Sequence, residues 1–393
     1  MPPHLAGRAA EHEEFVRLLG QSTILENMVL TGLRGVGKTV LLDTFKPLAI
    51  NDGWLWVGTD LSESTSVSEG NLALRLLTDL SVVTTSIVVG TEDRQRMGFA
   101  VGTDHVERTL DFGTLVNVYE RTPGLVADKV KGVLELVWTY VSKEGKKGII
   151  LAYDEAQNLA DFPAKDQFPL SLLLDVFQSI QRKDIPFMLV LTGLPTLFPK
   201  LVESRTFAER MFRVVFLDRL SRDESREAIL KPIEVADCPV RFEPDSVELI
   251  CDQSGGYPYF IQFICREVFD VFIQQMDEGD STGVPVDAIV RKLDSDFFAG
   301  RWARATDRQR ELLEVIAQLE RPRDEFTVQE IVTRSREVLA KPFSSSHVNQ
   351  MLSTLCEAGL IYKNRYGKYS FAVPLLDEFI LRQAEGKRVG SAF

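Results

Sequence analysis

Runs of consecutive apolar residues recur through the first half of the chain, and each is short enough to form one strand. They span residues 28–30, 54–57, 148–153, 186–191 and 214–217. Strands that are apolar at every position are typical of parallel sheets with helices on both faces. Between these runs, leucines at helical spacing, as at Leu72, Leu76 and Leu80, indicate helices. The pattern therefore predicts an α/β fold built on a three-layer parallel sheet.

Residues 81–122 do not follow this alternation of apolar strands and helices. Their apolar groups are short, rich in β-branched residues and separated by Gly, Asp and Thr, and they lie at residues 82–83, 87–89, 99–101 and 115–118. Such groups predict strands, as a β-rich hairpin insertion. A helix is predicted to follow at about residues 125–142.

Beyond residue 221 the pattern is helical. Helices are predicted at residues 221–235, 244–253 and 260–276. Gly255 and Gly256 are suited to end one of these helices, and Pro258 is suited to begin the next. This arrangement predicts a helical segment that follows the sheet.

The C-terminal part has the pattern of a winged helix. After an amphipathic helix at 308–319, Thr327 and Glu330 form the capping-box pattern of a second helix. Ser344 begins a third helix, which Gly359 ends, and its predicted buried face consists of Val348, Met351, Leu352 and Leu355. Two short apolar strands then flank residues 364–367, as in a hairpin wing.

The chemistry of the chain begins at residues 32–39, Gly-Leu-Arg-Gly-Val-Gly-Lys-Thr, which match the phosphate-binding P-loop completely. The glycines let backbone N–H groups point at an anion, and the helix that follows adds partial positive charge. Lys38 is expected to reach the β- and γ-phosphates, and the Thr39 hydroxyl to hold Mg²⁺. The predicted ATP or ADP contacts are Gly32, Arg34, Gly35, Val36, Gly37, Lys38, Thr39 and Val40. The Lys46-Pro47 pair is expected to end the P-loop helix.

A second signal is the pair of carboxylates at the end of the strand at 148–153. Asp154 at a strand tip beside the P-loop can hold Mg²⁺ through a water molecule. Glu155 can then orient and polarise the attacking water. Apolar runs that end in Asp-Glu are common, but one placed after a complete P-loop indicates a Walker B motif.

Composition narrows the class of protein. The net charge of −12 argues against a protein coated in nucleic acid, although residues 301–393 hold 15 Lys and Arg against 12 Asp and Glu. The four cysteines lack metal-binding spacing, so free thiols are expected. The sequence has neither a long apolar run nor a signal peptide, so we expect a cytoplasmic protein with no membrane partner.

Together these motifs resemble the AAA+ and STAND-type ATPases with an initiator-like layout. Leu5-Ala6-Gly7-Arg8 before an acidic helix is similar to the segment that lies against adenine in those families, so the resemblance implicates Gly7 and Arg8. An ordinary N-terminal helix is the alternative. Gly256-Tyr257-Pro258 matches the Gly-x-Pro element that STAND-type enzymes place over the adenine. The arginine sensor that other AAA+ branches carry near this point is not seen before Arg266.

The resemblance implicates three further residues in the site. Thr192, at the end of the strand at 186–191, matches the sensor that touches the γ-phosphate or the water; a helix N-cap is the alternative. Arg205 matches the arginine finger offered to a neighbouring subunit, and Arg210 is the second choice. A surface arginine, or an ion pair with Glu203 or Glu209, is the alternative for this region.

The resemblance implies a P-loop ATPase core at residues 1–218, a helical lid at 219–300 and a winged-helix domain at 301–393. It implies Mg²⁺-dependent ATP hydrolysis, self-association and movement of the wing. Three uses remain open: a DNA-associated ATPase, a slow signalling or defence switch that assembles a protein partner, and a scaffold without useful hydrolysis. Duplex DNA would meet Ser345, Ser346, His347, Asn349, Gln350, Lys363, Arg365 and Lys368.

Overall fold

The structure, a computed structural model, describes residues 4–95, 103–236, 242–278, 286–365 and 367–390. Contacts divide the chain into two units. One comprises Arg8–Thr31 and Lys38–Phe216, and the other comprises Met1–Gly7, Gly32–Gly37 and Leu217–Phe393. We call them the sheet unit and the C-terminal unit.

The strands up to residue 217 form one sheet and one hairpin. In chain order they are β1 (Asn27–Gly32), β2 (Leu55–Val57), β3 (Val88–Gln95), β4 (Thr103–Thr109), β5 (Ile149–Tyr153), β6 (Phe187–Gly193) and β7 (Phe212–Leu217). The sheet has the order β2-β5-β6-β1-β7, and β3 pairs with β4 separately. The pairings of β2 with β5, β5 with β6 and β6 with β1 are parallel. Every residue of β1, β5 and β6 is buried, which confirms the predicted α/β parallel sheet.

Helices cover this sheet and supply its core. They are α1 (Ala9–Leu19), α2 (Lys38–Asn51), α3 (Glu69–Thr84), α4 (Phe112–Arg121), α5 (Val126–Val141), α6 (Pro169–Gln181), α7 (Leu197–Ser204) and α8 (Ala208–Met211). One apolar cluster joins their inner faces to the strands, including Leu76 of α3, Val137 of α5 and Phe177 of α6. The strand ends, where the polar residues lie, are thereby fixed by a packed interior.

The predicted end of α2 at Lys46-Pro47 is wrong, because α2 continues through Pro47 to Asn51. Proline removes one N–H donor and usually breaks a helix. Here Phe45 before it and Ala49 after it are both fully buried. The packing of both turns outweighs the lost hydrogen bond.

The strand prediction for residues 82–83 and 115–118 is also wrong. Residues 82–83 lie in α3, where the Thr84 hydroxyl donates to the carbonyls of Leu80 (3.1 Å) and Leu110 (2.6 Å). Residues 115–118 lie in α4, whose N-cap Asp111 accepts from the Thr114 amide at 2.8 Å. Between these helices β3 and β4 form an antiparallel hairpin, as predicted for this insertion. The predicted strand at 99–101 lies outside the described residues.

The C-terminal unit begins with helices around a small apolar cluster. They are α9 (Arg222–Val235), α10 (Pro244–Ser254), α11 (Pro258–Glu278), α12 (Val286–Leu293) and α13 (Ala299–Trp302), with a π-helical turn at Asp294–Phe298. Gly255 ends α10 in the left-handed conformation and Pro258 begins α11, as predicted. Cys251, Cys265 and Cys356 are free thiols, and burial raises the pKa of Cys265 to about 12. Cys238 lies outside the described residues.

The rest of this unit has the element order of a winged helix. It consists of α14 (Asp307–Ala317), α15 (Val328–Val338), α16 (Ser345–Glu357), β8 (Ile361–Arg365), β9 (Lys368–Phe371) and α17 (Leu376–Gly390). The predicted capping box of Thr327 with Glu330 is present, and Ser344 caps α16. All four residues of the predicted buried face of α16 are buried. Phe326 pairs with Tyr369 beside the β8–β9 hairpin.

Candidate nucleotide site

The P-loop has the backbone that an anion-binding turn requires. Gly35 and Gly37 have φ of 81° and 90°, in the left-handed region that favours glycine. Gly32 ends β1, and a Cβ added to it would lie 2.5 Å from the Leu217 carbonyl oxygen. Helix α2 begins at Lys38 directly after the loop, and Lys38 is 9% exposed. A helix N-terminus after a glycine turn is a ready site for phosphate.

Within this loop the side chains differ in exposure. Val36 is buried, whereas Arg34 is exposed. Val40, in the first turn of α2, is half-buried. A phosphate could therefore meet Val36 through its backbone but not through its side chain, whereas the Arg34 side chain is open to solvent.

The strongest geometric feature joins the P-loop helix to β5. The Thr39 hydroxyl donates a hydrogen bond to Asp154 Oδ2, and Asp154 Oδ1 accepts from the Glu155 amide at 2.7 Å. Asp154 is 4% exposed. A hydroxyl and a carboxylate side by side are the hard oxygen ligands that Mg²⁺ takes together with substrate phosphates. These two residues therefore fit a magnesium ion bound to a nucleotide.

The backbone of Asp154 is held by the loop that follows β2. Its amide donates to the Thr59 carbonyl at 3.2 Å, and its carbonyl accepts from the Leu61 amide at 2.9 Å. This loop approaches β5 so closely that a Cβ on Gly58, whose φ is 138°, would lie 1.7 Å from the Ala152 carbonyl oxygen. Only glycine fits there, and the loop fixes the position of Asp154.

Thr192 lies between the P-loop strand and the Asp154 strand. It is fully buried in β6, and its hydroxyl has no hydrogen-bond partner among the described residues. A buried hydroxyl without a partner is costly, so a ligand or a water is expected there. The alternative interpretation as a helix N-cap is wrong, because α7 begins at Leu197 and its N-cap is Thr196.

Glu155 follows Asp154 and is exposed, with φ of 50° in the left-handed region. Its carboxylate accepts a hydrogen bond from the Gln157 side chain. Gln157 did not stand out in the sequence analysis, although it belongs to the contiguous run Asp-Glu-Ala-Gln. Its contact is set by the 3₁₀ turn at Ala156–Asn158, which the sequence pattern did not predict.

The two candidate finger arginines have different surroundings. Arg205 donates to both Asp175 oxygens (2.8 and 2.6 Å) and to the Ser171 hydroxyl (2.8 Å). The hydrogen bonds to Asp175 raise the pKa of Arg205. Its ion pair is thus with Asp175 on α6, not with Glu203 or Glu209. Arg210 on α8 is exposed and makes no side-chain hydrogen bond or ion pair with the described residues.

In the C-terminal unit, the start of α11 contacts the P-loop glycines. The Tyr259 amide donates to the Gly35 carbonyl at 3.1 Å. A Cβ on Gly37 would lie 4.0 Å from Pro258 Cγ. The Arg34 guanidinium would lie 3.9 Å from a Cβ on Gly359, at the end of α16, so the P-loop also approaches the winged helix.

The predicted adenine contacts Gly7 and Arg8 belong to different units, Gly7 to the C-terminal unit and Arg8 to the sheet unit. Gly7 has φ of 63°, and a Cβ there would lie 2.5 Å from the Glu224 side chain. Arg8 is buried and donates to Glu11 at 3.3 Å on α1. Gly7 and Arg8 are thus both closely packed, and Arg8 is also the N-cap position of α1.

Comparison with solved structures shows which fold this is. The chain is similar to a Walker-type ATPase of Pyrococcus abyssi, with 15% identity, 96% of each chain covered and a TM-score of 0.57. It is similar to the ORC2 protein of Aeropyrum pernix in its ADP form, with 15% identity, 98% of this chain and 96% of that chain covered and a TM-score of 0.54. It is also similar to the ORC1 protein of Aeropyrum pernix in complex with DNA, with 16% identity, 99% of this chain and 95% of that chain covered and a TM-score of 0.50. The chain therefore shares the fold of these solved structures, as its motifs predict.

Comparisons of sequence do not assign a function to the chain. Residues 295–380, which include the winged helix, match a family model described as a domain of unknown function, DUF8462. A search of curated proteins finds no match. Among the helices of the described ranges, none has the length and apolar character needed to cross a membrane.

Proposed function

We propose that this protein binds ATP with Mg²⁺ and hydrolyses it to ADP and phosphate. The observation that carries the proposal is the hydrogen bond between Thr39, from the P-loop helix, and Asp154, at the tip of β5. Two residues 115 positions apart in sequence meet at the point where a metal and a phosphate are expected. The unpartnered Thr192 hydroxyl on the strand between them supports the same site.

In this proposal, different residues bind the phosphates and the metal ion. The amides of the loop, from Gly32 through Gly35 to Gly37, bind phosphate oxygens, and Lys38 adds a positive charge. Thr39 and Asp154 hold Mg²⁺, which neutralises charge on the phosphates when it is bound. Thr192 donates a hydrogen bond to the terminal phosphate or to the attacking water.

Glu155 acts as the general base. Its carboxylate orients a water molecule, accepts one of its protons, and the water oxygen forms a bond to the γ-phosphorus as the bond to the ADP oxygen breaks. The exposed position of Glu155 gives water access. Asp154, whose two oxygens are already engaged, does not take this role.

A direct test is phosphate release by the wild type and by Asp154→Asn. We expect Mg²⁺-dependent release that chelation abolishes and that Asp154→Asn lowers by roughly 10-fold or more, because an amide binds Mg²⁺ less well than a carboxylate. Asp175→Asn is the matched control, since Asp175 lies on α6 and pairs with Arg205. Equal rates in the two variants would contradict the proposed metal site.

We propose that residues 1–218 act as the ATPase core, 219–300 as the lid and 301–393 as the winged-helix domain. Gly7, Arg8 and Pro258 contact the adenine. ATP promotes self-association, and Arg210 of one subunit reaches the γ-phosphate of its neighbour. Arg205 is the less suitable finger, because its guanidinium is already held by Asp175 and Ser171.

A second role, in binding duplex DNA, is favoured by the surface of α16. Ser345, Ser346, His347, Asn349 and Gln350 are all exposed. The helix has polar groups for base edges but no lysine or arginine. The positive charge would come from the wing, where Lys363 is exposed and Lys368 is half-buried. The side chain of Arg365, like Tyr366, lies outside the described part.

Reversing the charge of the wing tests whether the winged helix binds DNA or a protein partner. Lys363→Glu with Arg365→Glu is expected to weaken duplex binding by about 10-fold or more and to reduce the salt slope of log Kd by about 2, one for each lost phosphate contact. Arg336→Glu with Lys341→Glu makes the same charge change elsewhere in the domain. If both pairs weaken binding equally, the wing is not the DNA contact. If the wild type binds no DNA, the switch that assembles a protein partner is favoured.

A further inference from the structure

The Glu155 carboxylate, which we propose as the general base, must be oriented toward the attacking water. Glu155 is exposed and stands on a left-handed backbone position at the start of a 3₁₀ turn. A long exposed side chain samples several rotamers, and only some would face the attacking water. In active sites a base is commonly oriented by a third group.

Gln157 is held so that it can orient Glu155. Its side-chain N–H donates to Glu155 Oε2, and its Oε1 accepts from the Leu194 amide at 3.1 Å. Its backbone carbonyl accepts from Lys200 Nζ at 2.8 Å. Both ends of the amide are therefore engaged, one with the base and one with the loop after β6.

The loop after β6 provides the space for this amide. A Cβ on Gly193 would lie 2.6 Å from Gln157 Oε1, so glycine at this position lets the side chain reach the Leu194 amide. Thr192 immediately precedes this glycine on the same strand. Gln157 thus connects Glu155 to the strand end that carries the unpartnered hydroxyl.

We propose that Gln157 is a positioning residue that holds Oε2 of Glu155 and leaves Oε1 to accept the proton of the attacking water. Glu155 Oε1 accepts no hydrogen bond from the described residues. Because Gln157 is also bound to the loop after Thr192, the direction of the base depends on the position of that loop. This inference rests on the proposed ATPase function.

The test is Gln157→Met, which keeps the length of the side chain and removes both hydrogen bonds. We expect kcat to fall by about 10-fold or more while KM and nucleotide affinity stay unchanged, because misplacement of a reacting group is costly in rate. Gln178→Met is the control, since it makes the same substitution at a half-buried glutamine on α6. It should leave kcat within about twofold of the wild type.

A double-mutant cycle separates positioning from a general effect on folding. If Gln157 acts only through Glu155, Gln157→Met should lower the residual rate of Glu155→Gln little or not at all. Equal fold losses in both backgrounds, an unchanged kcat, or a kcat that rises would each overturn the inference. Failure of the proposed function is distinct: the wild type would then hydrolyse no ATP, or Glu155→Gln would match it.

Discussion

Replacing Glu155 by glutamine is expected to lower kcat for ATP hydrolysis by roughly 10²–10⁴-fold, the usual contribution of a general base. The amide has almost the same shape, so it still contacts Gln157, but it cannot accept a proton from water. Nucleotide affinity should stay the same, because the loop, Lys38 and Thr39 are unchanged. Single-turnover phosphate release measures the rate, and equilibrium titration with ATP measures the affinity.

Glu144→Gln is the matched control for this variant. Glu144 is also exposed and also lies in a 3₁₀ turn, at Ser142–Glu144, away from the strand ends. Its rate should equal that of the wild type. A Glu155→Gln protein with wild-type kcat would show that another group activates water, or that the chain is the nucleotide-dependent scaffold rather than an enzyme.

Replacing Arg210 by alanine is expected to have the largest effect, a loss of roughly 10³–10⁵-fold in kcat, as for other arginines that stabilise the transferring phosphoryl group. The reason is that Arg210 is exposed and makes no ion pair with the described residues, so its guanidinium can enter a neighbouring subunit. The wild-type rate per subunit should rise with protein concentration. Light scattering with and without ATP would show the accompanying assembly.

Mixing variants tests whether Arg210 acts between subunits. An Arg210→Ala subunit keeps Glu155, and a Glu155→Gln subunit keeps Arg210, so mixed assemblies contain some complete sites and should regain activity. Arg205→Ala should retain the rate and lower the free energy of unfolding by about 1 kcal/mol, since its ion pair with Asp175 is half-exposed. A concentration-independent rate that survives Arg210→Ala would contradict a finger in trans.

The P-loop and the buried strands could be predicted because their signals are contiguous. The loop is eight consecutive residues with a fixed backbone requirement, and β1, β5 and β6 each contain an unbroken apolar run, at 28–30, 149–152 and 187–191. Parallel strand order then brings the tips of β5 and β1 to the same edge of the sheet. The meeting of Thr39 with Asp154 could therefore be expected from sequence.

Other features depend on contacts that no local pattern records. The continuation of α2 through Pro47 depends on what packs around Phe45 and Ala49, and local helix rules do not include it. Gln157 became a candidate only when the loop at Leu194 was placed beside it. Likewise the partner of Arg205 is Asp175 on α6, whereas the carboxylates that the sequence suggests, Glu203 and Glu209, are its neighbours in the chain.

Calorimetric titration of ATP with Mg²⁺ into the wild type and Lys38→Ala tests most directly whether one nucleotide binds at the P-loop. We predict one site per chain in the wild type and an affinity lower by roughly 10–100-fold in the variant, since charged hydrogen bonds to the phosphates are lost. Lys46→Ala, on the same helix, should bind as the wild type does. Equal affinity of the wild type and Lys38→Ala, or no heat of binding in the wild type, would contradict the account.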